Sequence, residues 1–492
     1  MSQEVRNLEP RKVWNFFEDL NAIPRASKKE EKVLAFLKKF AEERDLTWDQ
    51  DEIGNLIIKK SATPGMENRR SVILQSHVDM VHQKNADTDF DFDTQGIQSY
   101  IDGDWVKARG TTLGADNGMG VASILSVLDS DDIPHPALEG LFTVDEEAGM
   151  TGAHNLKKDW LQGEILMNLD TEDDDELSIG CAGGVDTNIQ WQYEQTDLTG
   201  DYLGLKLFVS GLKGGHSGMD IIFGRGNANK IMNRLLLEAA GKFDLRISRI
   251  DGGGLRNAIP RESEAQLAVA RSDSKAFKSF IEEASAALSK EFATTDPDLT
   301  IAIGEAEQPG RVMDKEQQWR FLYAIQCCHD GVRRLSPDVD DLVETSNNVA
   351  RVLLQDGAAE IKCLSRSDRE SAKWDMAWSV AAPWNLLGAQ VEHSGSYPGW
   401  KLDPNAPMLG MMKDLYEKMF NEEPRVLACH AGLECGLLGQ HYPSMEMISF
   451  GPTIKGPHSP DERVSIKSVQ KFWKYLRQAL ELVPEKQEVV TD

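Results

Sequence analysis

At 492 residues the chain is long enough for roughly two to four domains. Its 54 Lys+Arg against 80 Asp+Glu leave a net charge of −26, which excludes nucleic acid and anionic membrane as natural partners, since both want a basic face. Hydrophobic residues make up 40%, ordinary for a soluble globular protein, and no run of about 18 apolar residues is present to span a bilayer.

The first ten residues lack the apolar core of a signal peptide. Six cysteines, at 181, 327, 328, 363, 429 and 435, show no paired spacing and read as reduced thiols of a cytoplasmic protein. Residues 10–45 carry helical periodicity, with Val13, Phe16, Phe17 and Leu20 on one face and Val33, Phe36, Leu37 and Phe40 on the next, separated by Pro24. Ser27 followed by Glu30 predicts a capping box for the second helix. Residues 71–76 read as a buried strand that ends at His77 and Asp79. Residues 83–103 are polar and aperiodic and predict a loop. Gly110–Gly118 is rich in turn residues, holds Asp116, and runs into a helix with Val121, Ile124, Leu125 and Leu128 on its apolar face. Leu141, Phe142, Thr143 and Val144 form a buried strand that breaks into Asp145, Glu146 and Glu147, with Gly149 closing the turn. A short helix over 151–161 precedes a strand over 164–169 that ends at Asp170.

From about 187 the pattern changes. A strand over 203–210 leads to a glycine-bracketed turn holding His216. Helices over 226–240, 273–291, 316–329 and 369–386 then alternate with strands near 243–250, 263–270, 298–303, 347–354, 359–366 and 388–394. Two rounds of strand-helix-strand-strand-helix predict an inserted α+β module of two similar halves, although no sequence repeat links them. After Trp400 the first pattern resumes, with a helix over 405–420, a strand over 446–450 running into a loop with His458 and Glu462, a final helix over 465–482 and a polar tail. The fold class expected is α/β, a mostly parallel-containing mixed sheet sandwiched by helices, with the inserted module as a lid. The expected domains are 1–186 with 401–492, and 187–400.

In such sheets ligands bind at the carboxyl ends of the strands, where His77, Asp79, Glu146, Glu147 and Asp170 gather, and Asp116 opens a helix. Each alone has a bland alternative: a capping Asp, a strand-end Asp, a turn His, a solvated acidic loop. Together, His77, Asp116, Glu147, Asp170 and His458 make a nitrogen and oxygen set suited to two Zn²⁺, with Mn²⁺ or Co²⁺ as substitutes. Asp79, two residues beyond His77, is placed to accept the other imidazole N–H. Adjacent side chains diverge, so one of Glu146 and Glu147 can bind metal while the other acts as general base. Asp145 has no assigned role. His82, His135, His154, His329, His393 and His441 read as structural or surface residues.

The ordered motifs Ser76-His-Val-Asp-Met80, Gly114-Ala-Asp-Asn-Gly118, Asp145-Glu-Glu-Ala-Gly149, Leu169-Asp170, Gly215-His-Ser-Gly218 and Gly456-Pro-His-Ser-Pro460 resemble the co-catalytic zinc peptidase superfamily over essentially the whole chain. That superfamily includes glutamate carboxypeptidase, peptidase T, peptidase V and the carnosinases, and the resemblance is nearest to its bacterial aminoacyl-histidine dipeptidases. It implies that Asp116 bridges two ions, that His77 and Asp170 complete one and Glu147 and His458 the other, and that a cis peptide follows Asp116. It further implies Glu146 as base acting on a hydroxide held between the ions, Asp79 as orienting carboxylate and His216 as oxyanion donor. Asn257 and Arg366 would hold the substrate's terminal carboxylate, and Gly432 would offer backbone contacts. For Arg366 a surface ion pair, and for Gly432 a helix-start turn, stay open. The implied activity is metal-dependent hydrolysis of dipeptides, including Xaa-His dipeptides such as β-alanyl-histidine, in a cytoplasmic homodimer whose 187–400 module closes over the site. An N-acyl amino acid deacylase, a tripeptidase and a non-catalytic ligand-binding protein are the competing readings.

Overall fold

The computed structural model describes residues 2–486, except 86, 338, 340, 401, 402, 404, 430 and 431 and the side chain of Cys429. The start of the second catalytic segment at 401 and the end of the polar tail therefore lie outside the described residues. The chain divides into two compact units. The first is Met1–Gly180, Leu402–Ala428 and Glu434–Asp492; the second is Cys181–Lys401 and Cys429–Leu433. The first crossing falls at Gly180 rather than at 186, because the strand Gly183–Gln192 already pairs along its length with Ala358–Ser367 of the second unit.

The first unit is built on an eight-stranded mixed sheet. Its strand order is Thr47–Gln50, Leu56–Lys60, Leu138–Thr143, Val72–His77, Ile165–Asn168, Glu446–Ser449, Glu176–Cys181, Arg425–Cys429. The third to sixth strands are mutually parallel, and they are buried along nearly their whole length, as a sheet covered on both faces requires. Helices Arg11–Asn21 and Glu31–Glu42 bury the apolar faces anticipated from their periodicity, through Val13, Phe17 and Leu20 and through Val33, Leu37 and Phe40. Helix Ala115–Leu128 buries Val121, Ile124, Leu125 and Leu128.

Several local expectations are corrected. No capping box forms at Ser27 and Glu30: the helix begins at Glu31 without a side-chain cap. The Ser27 hydroxyl donates instead to Asp79 Oδ2 (2.8 Å), and Glu30 Oε1 accepts the Lys28 and Asp145 N–H groups (both 2.9 Å). The loop 83–103 ends in a strand, Ser99–Asp102, that pairs with Trp105–Ala108. The turn joining them has Gly103 at φ 61°, a hairpin signal hidden by the polar run before it. The helix expected over 151–161 spans only Thr151–His154. Beyond it, the Trp160 N–H donates to the Tyr442 hydroxyl (3.0 Å) and its indole to Asp49 (2.7 Å), which holds the segment off the helix.

The second unit carries a nine-stranded sheet in which every pairing is antiparallel. Its main path is Thr300–Glu305, Tyr202–Ser210, Ser263–Ala270, Leu245–Gly253, Val343–Gln355, Ala358–Ser367, Gly183–Gln192, Gln390–Tyr397. The path reads as two halves of equal topology. Tyr202–Ser210, helix Ala228–Ala240, Leu245–Gly253, Ser263–Ala270, helix Ser274–Glu291 and Thr300–Glu305 form one. Gly183–Gln192, helix Lys315–Cys327, Val343–Gln355, Ala358–Ser367, helix Glu370–Leu386 and Gln390–Tyr397 form the other. They join through Leu245–Gly253 and Val343–Gln355. The likeness of the halves carries no sequence signal because each needs only an apolar inner face, which many residues satisfy. One apolar core runs beneath both halves, from Leu205 and Phe277 to Ile361 and Trp384.

Candidate active site

The four parallel strands deliver the chemistry. His77 ends one; Thr143 precedes the Asp145–Glu147 turn; Asn168 precedes Asp170; Ser449 leads into the loop of His458. Just inside these ends, buried side chains hydrogen-bond across the sheet. Gln75 Nε2 donates to Thr143 Oγ1 (3.1 Å) and to Glu434 Oε2 (2.6 Å), Asn168 Nδ2 donates to Gln75 Oε1 (2.6 Å), and Ser449 bonds to Asn168 and Thr171. Such a ladder fixes the heights of the strand ends relative to one another, and satisfied polar networks of this kind favour one arrangement.

Asp116 lies at the centre. Its Oδ1 is 3.1 Å from His77 Nε2 and its Oδ2 is 3.3 Å from His458 Nε2. His77 Nε2 is also 3.5 Å from Asp170 Oδ1, and His458 Nε2 is 2.9 Å from Glu147 Oε2. Two sets of ligand atoms result, His77 with Asp116 and Asp170, and Asp116 with Glu147 and His458, each within 4.8 Å mutually. His77, Glu146 and Glu147 form a further such set. The Asp116–Asn117 peptide is cis, and the Asn117 amide donates to Asp170.

Asp79 is fully buried behind His77, with Oδ1 at 3.3 Å from Nδ1. The same Oδ1 accepts the Glu146 N–H (3.1 Å) and Oδ2 accepts the Glu147 N–H (3.1 Å). One carboxylate thus straddles two successive peptides. Asp145, at φ 53°, starts this turn; its carboxylate accepts from Thr151 Oγ1 and its carbonyl from the Thr151 N–H (3.1 Å). That gives the unassigned acid a structural place.

The charges of the cluster are interdependent. Burial opposes ionisation of Asp116, yet hydrogen bonds from His458 and His77 hold it far below the usual carboxylate range. His458 is pushed up to about 11 by Asp116 and Glu147. Burial would depress His77, but Asp170, Asp116 and Asp79 raise it well above the usual imidazole value. Glu146 is driven well above the carboxylate range by burial, with Asp170, Glu147 and Glu434 adding to it; Glu147 and Asp170 are raised by burial as well. Crowded buried carboxylates balanced nearby by two imidazoles and the buried Arg25 guanidinium form a cation-seeking set. The donors, two imidazole nitrogens and several carboxylate oxygens with one carboxylate shared, fit a pair of divalent transition ions.

Sequence reasoning missed the residues that hold this set in place. Arg25, 1% exposed, donates to the Val78 (3.1 Å), Asp79 (3.0 Å) and Gly114 (2.6 Å) carbonyls. Glu462, 2% exposed, accepts the N–H groups of Leu113, Gly114, Ala115 and Asp116 at 2.7–3.2 Å. Burial and the Asp116 carboxylate push Glu462 up to about 7 against those donors. Gly114 sits at φ 72°, and a Cβ there would meet Arg25 Nη2 at 2.5 Å, so only glycine fits. Glu172 is raised to about 8 by burial and by Asp116 and Asp170, and buried Glu434 to about 7 by burial. The only sequence signal was proximity: Glu462 lies in the His458 loop and Glu172 lies two residues beyond Asp170.

The other candidates lie in the second unit. His216 Nδ1 accepts the Gly218 (3.2 Å) and Met219 (3.0 Å) N–H groups, so the neutral ring carries its proton on Nε2. Its turn is tied to the Asn257 segment: the Ser217 N–H donates to Asn257 O (2.7 Å) and the Ile259 N–H to Gly215 O (2.9 Å). Asn348 Nδ2 donates to the Arg256 and Ala258 carbonyls (both 2.9 Å), bracketing Asn257. Arg366 is 4% exposed and donates to the Tyr397 hydroxyl (2.6 Å), so it is no surface ion pair. Gly432 is half-buried before helix Glu434–His441; its neighbours His430 and Ala431 lie outside the described residues.

The sequence profile of the Peptidase family M20/M25/M40 matches residues 73–482. The chain belongs to this family. It is 42% identical over 483 residues to the cytosol non-specific dipeptidase of Escherichia coli (strain K12), covering 98% of this chain and all of that one. The crystal structure of aminoacylhistidine dipeptidase from Vibrio alginolyticus is 44% identical, covers 99% of each chain and superposes with a TM-score of 0.90. The aminopeptidase PepT of Bacillus cereus, 16% identical with a TM-score of 0.56 over 97% of this chain and 99% of its own, shares the fold. The fold expected from the sequence is thus that of the M20 peptidases. Among the described residues no helix is long and apolar enough to cross a membrane.

Proposed function

We propose that this chain hydrolyses dipeptides, Xaa-His dipeptides among them, at a dinuclear metal centre. The observation that carries the reading is the two-sided Asp116, with Oδ1 beside His77 and Oδ2 beside His458. The two relatives of 42% and 44% identity, both named as dipeptidases, support the substrate class. His77, Asp116 and Asp170 would hold one ion and Asp116, Glu147 and His458 the other; zinc is our choice, with Mn²⁺ or Co²⁺ as substitutes. Bound there, the ions would polarise the scissile carbonyl and acidify the attacking water.

The chain's own groups supply the rest. Asp79 keeps the His77 proton on Nδ1, leaving Nε2 as the ligand atom. Glu146, whose N–H Asp79 holds, takes the proton of the water and returns it to the leaving amine. A carboxyl group raised by burial is better matched to both transfers near neutral pH than an ordinary one. His216 presents Nε2–H as a donor to the developing oxyanion, while Arg366 and Asn257 hold the substrate carboxylate and Gly432 offers backbone contacts. Arg366 is suited to this by its planar fork, one arm of which Tyr397 fixes. We assign the second unit the role of lid, and place the enzyme in the cytosol as a homodimer.

The test is a panel of dipeptides, tripeptides and acetyl-amino acids, assayed on chelator-stripped protein reloaded with Zn²⁺, Mn²⁺ or Co²⁺. Turnover of dipeptides, with Xaa-His among them, is the expected outcome. Turnover confined to tripeptides or acetyl-amino acids would replace the substrate assignment, and no turnover with any metal would remove the enzymatic reading. Light scattering tests the dimer.

A further inference from the structure

Glu462 lies four residues beyond His458, in the same loop, yet it belongs to neither ligand set. It is buried and reaches back to the segment that opens helix Ala115–Leu128. Its Oε2 accepts the Leu113 (2.7 Å) and Gly114 (3.0 Å) N–H groups, and its Oε1 those of Ala115 (2.7 Å) and Asp116 (3.2 Å). Gly114 is gripped from its other side, where its carbonyl accepts from Arg25 Nη2 at 2.6 Å. Arg25 Nη1 in turn holds the Val78 and Asp79 carbonyls. Two buried side chains therefore connect the three segments that carry His458, Asp116 and His77.

We propose that Glu462 is a positioning residue for the metal pair: it sets the reach between Asp116 and His458, and with it the affinity of the ion held by Asp116, Glu147 and His458. The inference rests on the reading of Asp116 as the shared ligand. His77 and Asp170 are carried by the ends of two strands of the sheet, whereas His458 shares the 458–462 loop with Glu462. Disturbing Glu462 therefore weakens one ion more than the other. A carboxylate is needed because four converging N–H donors require two acceptor atoms with free lone pairs. The length of glutamate is needed because the donors lie on another segment.

The experiment is zinc binding by chelator competition and by metal content for wild type, Glu462→Gln and Glu462→Asp. Glutamine keeps the size but turns an NH₂ against two N–H groups; aspartate keeps the charge but is one methylene short. Both are expected to bind one ion with wild-type affinity and the second about 10- to 100-fold more weakly, the range for displaced supports of a metal ligand. Wild-type affinity for both ions in Glu462→Gln, or equal weakening of both, overturns the proposal. Full recovery in Glu462→Asp also overturns it, because charge rather than position would then be responsible. Amide hydrogen exchange on metal-free wild type gives a test that needs no variant. The N–H groups of residues 113–116 are expected to be protected, and exchange at the rate of an unbonded loop overturns the assignment even if both variants fail to fold. Wild type that binds fewer than two ions would instead refute the dinuclear reading itself.

Discussion

Asp79→Asn is the sharpest probe of the site, because the aspartate touches neither a proposed metal position nor the proposed substrate position. Its Oδ1 faces His77 Nδ1 at 3.3 Å and the Glu146 N–H at 3.1 Å; its Oδ2 faces the Glu147 N–H at 3.1 Å and the Ser27 hydroxyl at 2.8 Å. Asparagine has one oxygen for these four donors. The less damaging orientation keeps that oxygen toward His77 and Glu146 and turns the NH₂ toward Ser27 and Glu147. Ser27 can rotate and accept, but the Glu147 N–H cannot. The net loss is one hydrogen bond to a charged acceptor, about 1.5–3 kcal/mol. Because the displaced peptide carries a proposed ligand, the loss is read in metal affinity, as a weakening of about 10- to 150-fold at 1.4 kcal/mol per factor of ten. Chelator competition measures it, with thermal unfolding of the metal-free protein as control. A variant that binds both ions like wild type, or whose only change is a lower melting temperature with unaltered affinity, would refute the reasoning.

Glu146→Gln is expected to lower kcat by about 10²- to 10⁴-fold, the usual contribution of a general base, while metal analysis still finds two ions; loss of an ion would make Glu146 a ligand instead. Metal uptake at neutral pH should release protons, because His77 and His458 are raised above the imidazole range and Glu146, Glu147 and Asp170 above the carboxylate range. The sign for the imidazoles is that of a raised group: their protonated form stabilises the metal-free fold below the ordinary histidine range, and this is lost as pH rises through the raised values. Metal affinity therefore climbs with pH. Calorimetry in buffers of different protonation heat checks this, and an absence of proton release contradicts it. Arg366→Lys should raise KM for free dipeptides about 10-fold or more, from loss of one charge-assisted bond, and leave carboxyl-amidated dipeptides unaffected; an equal effect on both would move Arg366 away from the substrate carboxylate.

The sequence was most legible where a residue's position follows from the end of a regular element. Strand 71–76 had to stop at His77, strand 141–144 at Asp145 and strand 164–169 at Asp170, and a parallel sheet puts all three ends on one edge. The topology of the second unit was legible as a rhythm of elements, whereas its joining edge, Leu245–Gly253 against Val343–Gln355, was not, since strand pairing leaves no local signature. Ser27 and Glu30 misled because a capping box and two buried acceptor contacts use the same residue types; burial against Asp79 and Asp145 won. Arg25 and Glu462 were invisible for a related reason. Each acts on backbone groups far away in sequence, and nothing in a motif records which carbonyl or N–H a side chain will meet.

Those two residues and Asp79 bear on why adjacent Glu146 and Glu147 can take different roles. Had their side chains been free to choose, three consecutive acids at a strand end would spread toward solvent to reduce repulsion. Instead the two peptide N–H groups are pinned to the two oxygens of one buried carboxylate, and that fixes the directions in which the side chains leave the turn. Glu462 does the equivalent for the peptides that lead to Asp116. The ligand geometry is thus set through main-chain N–H groups by two carboxylates outside the ligand sets, with Arg25 joining the segments they hold through the Asp79 and Gly114 carbonyls. A side chain that is itself a ligand cannot hold its own peptide in this way, so the site needs these additional buried charges. Their burial is tolerable only because each finds several partners.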